Sequence, residues 1–305
     1  MTEELDALRE ARSAYAEGRN VMRLFRDRDP AARNSSDAVL ISYDLQSGSY
    51  RQALEDPEHR ERVERYWGGV ARVLNDYATD SMLEAGCGEA TTLLPVLSRL
   101  DAPPARVAAF DLAWSRIAHA RAHAHEFDVP TPELFVGDLF AMPVRDGAFD
   151  LVWTSHALEP NGGREREALT ELARVAREWI VLFEPSYELG SAGTREHIEE
   201  HGYVRGLPAT AEALGLEVVR HELLPETASP VNETQVLVLR KPHAPAASSA
   251  DWHACPRCRG ELQALKGALF CAADGLVYPL VDGIPVLSPQ NGIVASSFAE
   301  DLTAG

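Results

Sequence analysis

The chain has 305 residues, with 47 Asp plus Glu against 29 Lys plus Arg and a formal charge of −18. Such a field repels phosphate backbones, so nucleic-acid recognition is not expected, and no run of eighteen apolar residues offers a membrane span. Hydrophobic residues at 45% and charged residues at 25% suit a soluble globular protein. Four cysteines, one isolated at Cys87, do not make a secreted disulfide framework, and the acidic start MTEELDALRE is no signal peptide, so the expected compartment is the cytoplasm.

Residues 1–77 read as a helical region. In ERVERYWGGVARVLNDYA, residues Val63, Tyr66, Trp67, Val70, Val73, Leu74 and Tyr77 recur close to i, i+3, i+4, i+7 and predict one buried helix face. ISYDLQSGSY, ahead of it, is a polar, Tyr-bearing loop or bent helix. From Ser81 the rhythm changes. SMLEAG, ARVAAFDLA, PELFVGDL, AFDLVWTSHAL and EWIVLFEPS are short apolar runs separated by TTLLPVLSRL, SRIAHARAHAHEF and EREALTELARVAR, which have helical spacing. Strand and helix alternating at this pace predict an α/β fold with a doubly wound, mostly parallel sheet over residues 78–240. LEVVRHELL and TQVLVLRK lack a long helix between them and suit an antiparallel pair at the sheet edge. KPHAPAASSAD, within 241–251, reads as a linker. Residues 252–290 form a compact β-rich segment, and 291–305 read as a loose tail with little to bury.

The densest signal is SMLEAGCGEATTL. A strand carrying Glu84 runs into Gly86 and Gly88, which open a tight turn into a helix near Thr91. Glycine is wanted where backbone must approach a ligand and adopt conformations that a Cβ resists. A dinucleotide fingerprint would need a third glycine at position 91, where Thr91 stands. A merely structural Gly-rich turn is the plainer alternative. Asp111 closes the second strand, 27 residues after Glu84. There a carboxylate can accept two ribose hydroxyls.

With these residues in place, the chain resembles class I S-adenosylmethionine-dependent methyltransferases over about residues 50–240. The motifs are ExGxG at Glu84–Gly88, Asp111 after strand two, Gly137-Asp138-Leu139 after strand three, and MP followed by GAFDLVW leading into strand four. The resemblance implies a Rossmann-like methyltransferase sheet under an N-terminal helical lid. It also implies donor binding by Glu84, Gly86, Cys87, Gly88, Asp111, Leu112, Asp138, Leu139 and Ser155, with Asp111 on the ribose and Asp138 on the adenine amino group. The family often has a third glycine where this chain has Ala90.

Methyl transfer from a sulfonium is an in-line displacement that needs alignment and exclusion of water, with a base if the acceptor is a hydroxyl. In open α/β sheets the groups that meet ligands lie at the carboxyl ends of strands. Strand four ends in TSHALEPNGG, with His156, Glu159 and Asn161; strand five ends in LFEPSYE, with Glu184, Ser186 and Tyr187. His156 and Glu184 are the candidate catalytic groups, although a hydrogen-bonded structural histidine and a helix-capping glutamate are equally available readings. Tyr43 and Tyr50 (if the lid covers the donor), Glu159, Asn161, Tyr187 and Arg195 are candidate acceptor contacts. His119, His123 and His125 read as a solvated helix face. The family's Asp/Asn-Pro-Pro-Tyr, which marks many amine methylators, is missing. The function expected is therefore O-methylation of a small molecule. The alternatives are a macromolecular acceptor, protein or RNA, and a non-catalytic donor-binding scaffold. Oligomeric state is left open, a homodimer being one assembly allowed.

ACPRCRG and LFCAADG supply Cys255, Cys258 and Cys271, three thiols at ribbon spacing, with Asp274 in the fourth position and His253 as the other local candidate. Structural zinc takes four ligands, mostly thiolates, so the spacing allows either a zinc site or a metal-free domain with its own core. CPRC together with YPLVDGIP resembles the zinc-ribbon-like domain of the tRNA methyltransferase activator family. That resemblance implies a docking or stabilising role toward the methyltransferase in front of it.

Overall fold

The computed structural model describes residues 2–28, 34–242, 252–265 and 267–297, with side chains from residue 6 onward. Five helices lead: α1 (Thr2–Ala16), α2 (Val21–Arg26), α3 (Ser36–Leu45), α4 (Ser49–Ala53) and α5 (Pro57–Asn75). Asp56 caps α5 by accepting the Glu58 N–H, and Pro57 sits in its first turn, where a missing N–H costs nothing. Its buried face includes Val63, Tyr66, Trp67, Val70, Val73 and Leu74, as the periodicity predicts, whereas Tyr77 falls beyond the helix end and is half-buried.

The body follows as β1 (Ser81–Ala85), α6 (Leu93–Leu97), β2 (Arg106–Asp111), α7 (Trp114–Ala124), β3 (Glu133–Val136), β4 (Phe149–Ser155), α8 (Glu165–Val175), β5 (Ala176–Pro185), α9 (Ala192–His201), α10 (Leu207–Ala213), β6 (Glu217–Leu223) and β7 (Thr234–Arg240). The strands form one sheet in the order β3-β2-β1-β4-β5-β7-β6. β1 to β5 pair in parallel, whereas β7 is antiparallel to both β5 and β6. Strands buried on both faces must be apolar at successive positions. Along β5, Ile180 and Leu182 enter the core under α8 and α10, while Val181 and Phe183 enter the core under α5, α6 and α7. With the order reversing at β1 and β4, the crevice at their carboxyl ends is where this sheet holds a ligand.

Five short strands follow: β8 (Gln263–Leu265), β9 (Ala268–Cys271), β10 (Leu276–Val281), β11 (Ile284–Pro285) and β12 (Ile293–Val294). β10 and β11 turn through Asp282 (φ 51°) and Gly283 (φ 75°), the two left-handed residues that a two-residue hairpin requires. This small sheet is not an appendage. Val286 bridges Val136 in parallel, and the Leu287 N–H donates to the Val136 carbonyl at 2.9 Å, so the segment covers the open edge of β3. The Trp252 ring lies 5.2 Å from both Phe135 and Phe149, and Trp252, Cys255, Leu262 and Tyr278 belong to the same core as Leu83 and Phe110.

Two expectations need correction. The tail read as loose is partly built in, since β12 pairs with β10 and leaves only 298–305 outside the described residues. Of the three histidines read as a solvated face, His119 and His125 are exposed, but His123 is 5% exposed, its ring 5.2 Å from Phe127, on the side where α3 packs on α7. Of the expected linker, 243–251 lie outside the described residues. No described helix is long and apolar enough to cross a membrane.

Trp252 tests the shared core. Trp252→Ala should lower unfolding stability by about 3–5 kcal/mol in urea denaturation, the usual cost of emptying a buried aromatic site. A loss below about 1 kcal/mol would mean that the segment merely rests on the sheet.

Candidate active site

A cavity of about 340 Å³ lies at the carboxyl ends of β1, β2 and β4, roofed by α3, α4 and α5. Every residue expected to bind donor lines it: Glu84, Gly86, Cys87, Gly88, Asp111, Leu112, Asp138, Leu139 and Ser155. The turn after β1 runs through left-handed Gly86 (φ 77°) and Gly88 (φ 56°). A Cβ on Gly86 would collide with Ala157, and one on Gly88 would lie 2.7 Å from the Arg116 guanidinium. Ala90, at the family's third glycine position, keeps the glycine-like conformation at φ 56°.

The acids of this wall differ in how they are satisfied. Asp111 accepts the Gly88 N–H at 2.9 Å and the Ala113 N–H at 3.0 Å, which fixes the carboxylate beside the glycine turn. Asp138 accepts the Phe140 N–H at 2.9 Å, and burial raises its pKa above the ordinary value. Glu84 is 1% exposed, and its Oε2 has no hydrogen-bond partner. Burial, then the neighbouring Asp111 charge, drives its pKa well upward. A carboxyl stranded in this way calls for a cationic or hydrogen-bond-donating ligand group.

The lid is fastened to the same loop. Glu89, which is buried, accepts the Gly48 N–H at 2.8 Å and the Arg51 N–H at 3.3 Å, and so fixes the start of α4 to the glycine turn. Tyr43 and Tyr50 line the cavity and flank the Arg116 guanidinium, whose carbon lies 5.1 Å and 4.5 Å from their ring centres. Val39, Leu40, Leu54, Val63 and Trp67 make most of the rest of the roof apolar, with Ser36 and His59 as its polar members.

On the β4 side, His156 has a left-handed backbone (φ 55°), a conformation uncommon outside glycine and enriched at functional sites. Its Nδ1 lies 2.7 Å from Glu159 Oε2 and its Nε2 lies 3.1 Å from Thr234 Oγ1, so both ring nitrogens are engaged. Burial works against the charged ring, but the Glu159 hydrogen bond and charge outweigh it and raise the pKa. Glu159, Asn161 and Ser155 line the cavity, with the Tyr66 hydroxyl 2.8 Å from Ser155 Oγ.

Glu184, expected as a catalytic group, is not at the cavity wall. It is fully buried and accepts the Thr154 hydroxyl at 2.7 Å and the N–H groups of Ala157, Leu158 and Glu159 at 3.0 to 3.1 Å. Burial pushes its pKa up to about 7 against the pull of His156 and these donors. It shapes the turn after β4 and does not line the cavity. Two expected acceptor contacts also lie elsewhere. Tyr187 bonds Glu199 on α9 at 2.7 Å, and Arg195 is exposed on that helix. The sequence reading missed Arg116, Tyr66, Trp67 and Asn232, all at the cavity wall. Arg116 falls five residues after Asp111, one turn into a helix on the cavity side, and that spacing was the available signal.

In the C-terminal segment, the thiols of Cys255, Cys258 and Cys271 and a carboxylate oxygen of Asp274 all lie within 4.8 Å of one another. Cys258 and Cys271 sulfurs are 3.4 Å apart, and Cys255 Sγ lies 3.4 Å from Asp274 Oδ2. Thiolates about 2.3 Å from one tetrahedral zinc stand roughly 3.8 Å apart, so the cluster has the right size.

Residues 82–178 match the methyltransferase-domain family, and residues 254–283 match the family of Trm112p-like proteins. The magnesium protoporphyrin IX methyltransferase of Synechocystis PCC 6803, solved with S-adenosylhomocysteine, is similar in fold. Its TM-score is 0.52 at 16% identity, over 66% of this chain and 99% of its own. The complex of the Haloferax volcanii Trm112 methyltransferase activator and the putative methyltransferase gives 0.50 at 18% identity, over 64% of this chain and 96% of the matched one. Among curated relatives, a UPF0434 protein of Shewanella halifaxensis is 61% identical over 36 residues, or 11% of this chain. The chain spans 63% of that relative's length. A UPF0434 protein of Mannheimia succiniciproducens is 38% identical over 52 residues, or 16% of this chain and 85% of its own.

The His156–Glu159 pair has a pH signature. A folded-state pKa raised above the ordinary 6.5 gives stability that is fully present below pH 6.5 and lost as pH rises through the raised value. The melting temperature should therefore fall from pH 6.5 to 9, and His156→Asn, which tolerates left-handed backbone, should flatten that decline. Parallel curves for the two proteins would exclude a charged pair.

Proposed function

The chain belongs to the S-adenosylmethionine-dependent methyltransferases and ends in a Trm112p-like domain of the UPF0434 kind, and we propose that it methylates a small, largely apolar acceptor at a hydroxyl oxygen. The donor fits the cavity by chemistry. Unpartnered Glu84 suits the ammonium of the amino-acid arm, the glycine turn leaves room for close backbone approach, and Asp111 and Asp138 suit ribose hydroxyls and the adenine amino group. When bound, S-adenosylmethionine supplies the activated methyl group.

The observation that carries the acceptor class is the roof. Val39, Leu40, Leu54, Val63, Tyr66 and Trp67 close a largely apolar, aromatic chamber over the donor loop, with Ser36 and His59 as polar exceptions, which suits a compact molecule. The surrounding charge of −18 disfavours a polyanionic substrate. Glu159 is the carboxylate at the acceptor side of this chamber, and we assign it the proton released when a hydroxyl is methylated. His156, with both nitrogens engaged, holds Glu159 in place and is a positioning residue. Exclusion of water by the roof and alignment of acceptor and methyl then provide most of the acceleration.

We further propose that Cys255, Cys258, Cys271 and Asp274 hold one structural zinc ion, which would supply a fixed cross-link for a segment with a small core. On this reading the segment is a built-in support for the methyltransferase sheet, acting through its cover over β3.

Three measurements test these readings. Calorimetry should show micromolar binding of S-adenosylhomocysteine by the full chain and loss of it in Asp111→Ala. With radiolabelled donor and a cell extract, label should enter the small-molecule fraction, and label confined to protein or RNA would overturn the acceptor class. Protein purified without added zinc should carry about one equivalent, and Cys271→Ser should lose it. Less than about one-fifth of an equivalent in the unaltered chain would dismiss the site, because structural zinc is tightly held.

A further inference from the structure

Arg116 is 7% exposed, lines the donor cavity, and is the one Lys or Arg among the described residues that do so. The carboxylate charges that act on it are those of Asp111 and Glu89, and it donates a hydrogen bond to the Tyr50 hydroxyl, yet no carboxylate forms an ion pair with it among the described residues. The Nε is buried without a hydrogen-bond partner, and the guanidinium lies over Gly88, between the glycine turn and the rings of Tyr43 and Tyr50. A desolvated guanidinium with an unused donor is costly unless a ligand anion completes it. Its planar fork of donors suits a carboxylate, which it can grip at both oxygens. The donor read from this cavity is an amino acid at one end. Its ammonium has Glu84 available, whereas among the described residues no other Lys or Arg lines the cavity to meet its carboxylate.

We propose that Arg116 pairs with the α-carboxylate of the donor and thereby makes the cavity selective for donors that carry the whole amino-acid arm. The proposal rests on the donor reading given above. Through its stacking on Tyr43 and Tyr50, the same side chain links the occupied arm to the lid, so carboxylate binding and lid position are read by one residue.

Calorimetry on the full chain with two ligands tests it. S-adenosylhomocysteine has the amino-acid arm, and 5′-methylthioadenosine keeps the nucleoside and sulfur but lacks the arm. In Arg116→Met, which keeps an apolar stem, S-adenosylhomocysteine should weaken roughly ten- to a hundredfold, the range of a hydrogen bond to a charged group. 5′-Methylthioadenosine should change by less than about threefold, within the scatter of a surface-type substitution. Arg116→Lys, retaining charge without the fork, should fall between the wild type and Arg116→Met. Equal weakening of both ligands would show that the guanidinium only supports the lid, and undiminished S-adenosylhomocysteine binding would assign it to another anion; either overturns the proposal. A wild-type chain that binds neither ligand would overturn the donor reading itself, and the proposal with it.

Discussion

A carboxylate buried in protein must be met by donors, and three of them at the carboxyl ends of the strands organise this molecule. Glu184 on β5 is met in full, by a hydroxyl and three successive N–H groups. Those bonds coil the segment after β4 tightly enough that His156 takes a left-handed backbone. Asp111 on β2 is met by two N–H groups, one of them from Gly88, so the glycine turn is held from the neighbouring strand. Glu84 on β1 is left with an unpartnered oxygen. The three acids are close in chemistry and position and differ in what surrounds them. That difference separates a framework group from a ligand group more clearly than residue type does.

This is why the donor half of the site was legible in the sequence and the acceptor half less so. The residues we assign to the donor stand at strand ends and in the turns directly after them, and Glu84, Gly86, Gly88, Asp111 and Asp138 keep fixed places relative to apolar runs that are easily recognised. Glu184 also stands at a strand end, and by position it looked like a member of the same set. What removes it is the path of residues 157–159, which fold back to donate to it. No local pattern records that path. Tyr187 follows the end of β5 and donates to Glu199 on α9, and Arg195 is turned to solvent by that same helix. The roof residues Tyr66 and Trp67 were read as core, which they are, since a wall of this cavity is the inner face of α5.

The C-terminal segment shows the same limit on a larger scale. Within YPLVDGIP, Asp282 and Gly283 form a hairpin turn through local backbone chemistry. The spacing of the cysteines brought four ligating groups into reach, as it suggested. What could not be read was that β3 would otherwise present an unpaired edge, and that Val286 and Leu287 would cover it. Trp252 reads as the first residue after a linker, yet it fills the space between Phe135 and Phe149 and belongs to the sheet's own core.

That contact ties the cysteine cluster to the donor cavity through a short sequence of bonds. Arg259, next to Cys258 and left-handed at φ 62°, donates to Glu171 Oε1 at 2.9 Å. Glu171 Oε2 accepts the Met142 N–H at 3.1 Å, and Arg174 donates to the carbonyls of Met142 and Val144. On the other side, Ala254 donates to the Pro143 carbonyl and Arg145 to the Trp252 carbonyl, each at 2.9 Å. Residues 142–145 are therefore clamped between α8 and the start of the small domain. They continue directly from Asp138 and Leu139, which line the cavity. A loop that presents an acid to a cavity needs support on the side away from it, because an unbraced loop would lose geometry on binding. In this chain the brace is supplied by the Trm112p-like segment. The fusion thus has a physical meaning beyond keeping two units together: the segment that covers the sheet edge also holds the backbone behind Asp138 in place.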